Sequence, residues 1–202
     1  METIFILLIL LFSVVIHEIS HGYAALFLGD NTAKYQGRLT INPINHLDPM
    51  GSVFVPLLTY FLGGFIIGWA KPVPFNPYNL RNQRWGEAIV ALAGPLSNLV
   101  IASVFAILIR FLPDNLPEGF YFLAGYLIFI NIVLALFNLM PVPPLDGSKI
   151  LFSILPQRLY HIRQAMEQYG FVLVLIFIFV LWRFLVPVAQ SIFILLVGHN
   201  LL

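Results

Sequence analysis

The chain has 202 residues, 60% of them hydrophobic and only 9% charged, against about 25% charged in an ordinary soluble domain. A formal net charge of +1 provides neither a basic stripe for nucleic acid nor an acidic tail, so nucleic-acid binding is excluded. The absence of cysteine rules out disulfides and thiolate metal sites, leaving His, Asp and Glu to hold any metal. This is the composition of an all-α polytopic membrane protein, read as a single domain over 1–202.

The first apolar stretch, about 3–28, is long enough to span a bilayer, which takes about 20 apolar residues. Met1-Glu2-Thr3 lacks the positive start of a signal peptide, and cleavage near Ala24-Ala25 would remove the histidines before it, so the segment reads as a retained helix. Within it stands His17-Glu18-Ile19-Ser20-His21. Ionisable groups at membrane depth are costly and point to function. On a helix, positions i and i+4 share a face, so His17 and His21 can offer imidazole nitrogens to one ion. Glu18 projects about 100° further round the axis, where it can act as general base on water beside the ion without being a ligand.

The connection 29–51 carries Lys34 and Arg38, and its stretch Gly37 to Asn42 alternates like a strand until Pro43 stops it. His46 and Asp48 read as turn and capping groups before Pro49. The next apolar stretch, 52–69, is short and interrupted by Pro56 and Gly63-Gly64, so it either spans or re-enters. Lys71-Pro72-Val73-Pro74-Phe75-Asn76-Pro77 is extended, because repeated prolines forbid a helix. Re-entry puts the basic loops 29–51, 70–85 and 141–169 on the cytoplasmic side and 111–119, with Asp114 and Glu118, outside. Four spans plus one re-entrant or short element is therefore the expected architecture, with both termini outside and a small β element near the cytoplasmic face. A re-entrant backbone further implies a polar cavity beside it.

The remaining spans fall at about 86–112, 120–140 and 170–198, and 157–169 reads as an interfacial helix with Leu159, Ile162, Met166 and Tyr169 on one face. Two histidines do not complete a catalytic zinc site, which usually takes three protein ligands. His46, Asp48, Asp146, His161 and His199 are the candidates for the third. Asp146 stands out because Pro141, Pro143 and Pro144 break the helix within the motif 138–147, and the broken end can present a carboxylate. The alternative is an aspartate N-cap for a helix starting at Ser148. His161 and His199 read as solvated. Arg183, inside the last apolar run, either snorkels or pairs with a polar group.

His-Glu-x-x-His-Gly on a membrane helix, followed far downstream by Asn138-x-x-Pro141-x-x-Pro144-Leu145-Asp146-Gly147, resembles the site-2 protease family of intramembrane zinc metalloproteases. Gly94-Pro95-Leu96-Ser97-Asn98 is similar to that family's G-P-x-x-N. The runs Gly29-Asp30 to Gly37-Arg38, His46 to Gly51 and Gly68 to Pro74 resemble the small bacterial and archaeal members without a PDZ or CBS domain.

The resemblance implies His17, His21 and Asp146 as ligands of one Zn2+ per chain, Glu18 as catalytic base and Asn138 at the substrate carbonyl. Asn98 matches a family position that either packs or makes a polar contact. The implied substrate is a transmembrane segment of another protein, cut in the cell membrane with the active site towards the cytoplasm. Held by the strand at 37–42 or the extended 71–77, the unwound peptide would add as a strand. The competing class is a non-catalytic zinc-binding membrane protein or transporter. Transport needs a continuous polar path, and the core helices offer few carboxylates or histidines beyond the motifs.

Overall fold

The computed structural model describes residues 2–55, 57, 58, 61, 68–111 and 116–198. Four long helices follow the apolar runs: α1 (Glu2–Phe27), α3 (Gly86–Phe111), α4 (Glu118–Asn138) and α7 (Gly170–Val197). Each is long and apolar enough to cross a bilayer, where a helix satisfies its own backbone hydrogen bonds without water. The short helices α2 (Thr32–Tyr35), α5 (Asp146–Ile154) and α6 (Tyr160–Gln168) lie between them.

Helices α1, α3 and α4 pack on one another, and α7 closes against α4 and α3. The interface among α3, α4 and α7 is built from Ala102, Ala106, Ala124 and Ala189 with Ile128, Ile132 and Phe193. Small residues there let the backbones approach, and dispersion between closely packed atoms takes over where lipid removes any hydrophobic drive.

The expected strand at 37–42 is absent; no strand occurs among the described residues. Prolines at 72, 74 and 77 carry no N–H, so the facing segment cannot sustain a ladder. Side chains replace it: Arg38 Nη2 donates to the carbonyls of Lys71 (2.9 Å) and Pro72 (3.2 Å). Asp48 caps a π-helical turn, Pro49–Phe54, by accepting from Gly51 N at 3.2 Å. Beyond that turn, most of 56–67 lies outside the described residues, and with it the choice between spanning and re-entry. The segment read as interfacial forms a 3-10 turn, Gln157–Leu159, followed by α6. Ile162 and Tyr169 are exposed there, leaving an apolar face for lipid.

Asp30 is buried just past α1. Its Oδ1 accepts from Thr32 N, Thr32 Oγ1 and Asn79 Nδ2, and its Oδ2 accepts from Asn76 N at 2.7 Å. Burial pushes this carboxyl's pKa up, but the hydrogen bonds outweigh it and hold the group below the usual carboxylate range. Asp30 thus ties the end of α1 to the loop 76–79.

Candidate active site

His17 and His21 lie one turn apart on α1 and face α3. Asp146 is the first residue of α5, with Leu145 in the N-cap position, so it does not cap a helix starting at Ser148. The break after Asn138 turns the chain back, and Asp146 Oδ2 arrives 3.2 Å from His17 Nε2 and 3.1 Å from His21 Nε2. The two Nε2 atoms are 3.1 Å apart. All three residues are buried.

The tautomers follow from the partners. Val90 O accepts only, so His21 Nδ1 carries a proton and donates to it at 2.7 Å. His17 Nδ1 donates to Asn98 Oδ1 at 2.7 Å. The orientation of the Asn98 amide is set in turn, because its Nδ2 donates to Asn131 Oδ1 at 2.7 Å. Asn131 Nδ2 donates to Ser13 Oγ (2.9 Å) and Leu127 O (2.8 Å). With both Nδ1 protons committed, the neutral rings aim Nε2 lone pairs at each other and at the carboxylate. Three acceptors meeting in a dry site repel one another unless a cation stands among them. A tetrahedral zinc with bonds of about 2.0–2.1 Å separates its ligands by ~3.3 Å, so this donor triangle fits the ion.

Lys149 brings a positive charge beside Asp146 and favours its ionised form, the form a ligand must take. Lys149 Nζ lies 3.4 Å from Asp146 Oδ1 and 5.5 Å from the Phe75 ring.

Gly94 of α3 backs the two imidazoles. A Cβ there would lie 2.6 Å from His17 Nε2 and nearer still to His21 Nε2. Pro95 lacks an N–H, so α3 misses one hydrogen bond in the turn where His21 takes a carbonyl.

A cleft of about 130 Å³ opens on this cluster, lined by Glu18, Val73, Phe75, Asn138 and Lys149 among others. Glu18 Oε2 accepts from Val73 N at 2.8 Å. Asn138 lines the cleft, with its Nδ2 donating to Leu134 O at 2.9 Å. The structure thus gathers every residue singled out for the chemistry. His46 is buried elsewhere, its Nε2 donating to Thr40 O at 2.8 Å, and His161 is exposed on α6. His199 lies outside the described residues.

Sequence reasoning missed Ser13 and Asn131, gave Gly94 no role within its motif, and left the role of Asn98 open. Polar side chains inside apolar spans were the available signal. Replacing Asn98 with Leu keeps the approximate size but removes the acceptor for His17 Nδ1. Zinc affinity measured by chelator competition is expected to fall about 10–100-fold, the usual cost of losing an outer partner of a ligating histidine. Affinity within twofold of wild type would contradict the role given to Asn98.

The model of "Peptidase family M50" matches residues 5–120 and 113–182. The chain is 37% identical over 194 residues to the "Putative zinc metalloprotease YwhC" of Bacillus subtilis, covering 90% of this chain and 85% of that one. It is 33% identical to the "Putative zinc metalloprotease Rip2" of Mycolicibacterium smegmatis, over 86% of this chain and 66% of the relative. The "Zinc metalloprotease MJ0392" of Methanocaldococcus jannaschii is 29% identical, over 79% of this chain but only 37% of its own length. No solved structure matches. Agreement along most of both chains with YwhC, together with the family match, makes this protein a membrane metalloprotease of peptidase family M50, the site-2 protease family.

Proposed function

We propose that the chain is an intramembrane endopeptidase that cuts transmembrane segments of other membrane proteins, holding one zinc between His17, His21 and Asp146. The observation that carries this reading is the convergence of those three donors at the cleft that also holds Glu18 and Asn138. His17 lies about 15 Å from the Phe27 end of α1 at ~1.5 Å per residue, which is depth within a bilayer. The basic loops that follow α1 and precede α3 argue for a cytoplasmic opening.

A zinc held by His17, His21 and Asp146 would supply a Lewis acid and make water a better nucleophile near neutral pH. Glu18 would take the proton of the attacking water and pass it to the leaving amine as the peptide bond breaks. Asn138 lines the cleft and has a second amide N–H beyond the one given to Leu134, which would donate to the developing oxyanion. A helical substrate has its carbonyls in internal hydrogen bonds, so the peptide must unwind before attack.

The test uses purified protein in lipid vesicles with single-span test proteins whose apolar segments, about 20 residues long, are broken centrally by Asn-Pro or Gly-Gly. Zinc analysis is expected to find one ion per chain. Cuts mapped by mass should fall inside the apolar segment, stop on zinc removal by a chelator and return on zinc re-addition. Zinc bound without cleavage of any test protein would leave the non-catalytic reading standing.

A further inference from the structure

Three buried polar side chains between α1 and the π-helical turn have no part in the chemistry above: Asp30, Arg38 and His46. All three residues hold the same extended segment. Arg38 Nη2 grips the carbonyls of Lys71 and Pro72 at 2.9 and 3.2 Å. The His46 carbonyl accepts from Lys71 N at 2.8 Å. Asp30 Oδ2 accepts from Asn76 N at 2.7 Å. Gly22, the residue after His21, lets this strap sit directly on α1, since a Cβ there would lie 2.8 Å from Val73 Cγ1 and 2.5 Å from Leu39 Cδ2.

The strap is fixed at both ends, and its sequence leaves one donor in the middle. Pro72 and Pro74 carry no N–H, so Val73 is the only amide of the triplet, and it points at Glu18 Oε2 from 2.8 Å. We infer that the Val73 amide, held by Arg38, Asp30 and the His46 backbone, is a positioning group for the catalytic base. This rests on the protease reading of Glu18.

Fixing a half-buried glutamate side chain in one rotamer costs conformational entropy. The charge-assisted N–H···O⁻ bond offsets part of that loss and fixes one oxygen. That holds the side chain in the cleft it lines with His17, His21 and Asp146, and a catalytic group needs placement to within about 0.5 Å.

The experiment replaces the Val73 amide by an ester, incorporating the α-hydroxy analogue of valine so that shape is kept and only the N–H is lost. Cleavage of the Asn-Pro test protein and zinc affinity are measured in parallel. The expected result is a fall in kcat of about tenfold or more, with KM and zinc affinity within twofold of wild type. Unchanged kcat overturns the inference. A rise in KM alone overturns it as well, because the strap would then be a substrate-binding surface. Lost zinc affinity overturns it too, by placing the effect on the metal ligands.

Hydrogen exchange of the Val73 amide gives a readout independent of turnover. Protection is expected in wild type, with loss of at least tenfold in Glu18→Ala and in Arg38→Met. An unprotected amide overturns the inference alone. A protected amide in a protein inert toward every test substrate overturns the protease reading, and the positioning role with it.

Discussion

Glu18→Ala is expected to abolish cleavage while leaving zinc in place. A positioned general base contributes about 10²–10⁴ in rate, and in the proposed reaction the same carboxylate both takes and returns the proton. Glu18 is not among the three converging donors, so its removal takes no ligand from the ion. It does remove the acceptor for Val73 N, and loosening of the strap would add to the loss. Glu18→Gln separates the two effects, because its amide oxygen still accepts from Val73 but cannot take a proton. Both variants should retain one zinc per chain, with cleavage of the test proteins reduced by at least about a hundredfold. Zinc lost from either variant would make Glu18 a ligand rather than a base.

Gly94→Ala is expected to empty the metal site without touching a ligand. The added methyl would sit 2.6 Å from His17 Nε2 and Cε1, and it meets imidazole rings held by hydrogen bonds. Neither side has room to move. Helix α3 is packed between α1 and α4, and each imidazole is pinned through Nδ1, to Asn98 and to Val90. Losing one outer partner costs about 10–100-fold in metal affinity; displacing both ligands should cost more than a hundredfold. Chelator competition measures it, and circular dichroism checks that the helices remain. Zinc affinity within twofold of wild type would mean that α3 does not lie against these rings.

Periodicity and motif spacing carried much of the outcome. Apolar runs at about 3–28, 86–112, 120–140 and 170–198 correspond within two residues to the four long helices, because lipid leaves an apolar segment little choice but helix. His17 and His21 were legible as a pair for a related reason: the i, i+4 spacing is a property of one helix and needs no partner. Asp146 emerged from the proline break, a local signal, although its alternative reading as an N-cap gave way to a place at the start of α5. The strand at 37–42 failed because alternation describes only one side of a ladder. The facing segment, rich in proline, could not donate the other half.

What the sequence determined by itself was therefore local: which segments enter the membrane, which two histidines share a face, where the helix breaks, and which family's pattern these residues match. Tertiary structure decided what each polar group is for. Asn98 and His17 are 81 positions apart, Glu18 and Val73 are 55 apart, and His17 and Asp146 are 129 apart. No spacing rule links residues so distant, since their meeting depends on how α1, α3, α4 and the strap pack. Packing turned Asn98 from an unassigned motif residue into the acceptor that sets the His17 tautomer, and Gly94 from a small residue into the floor of the site. Buried hydrogen bonds must find partners wherever the fold brings them, and only the folded chain shows which partners those are.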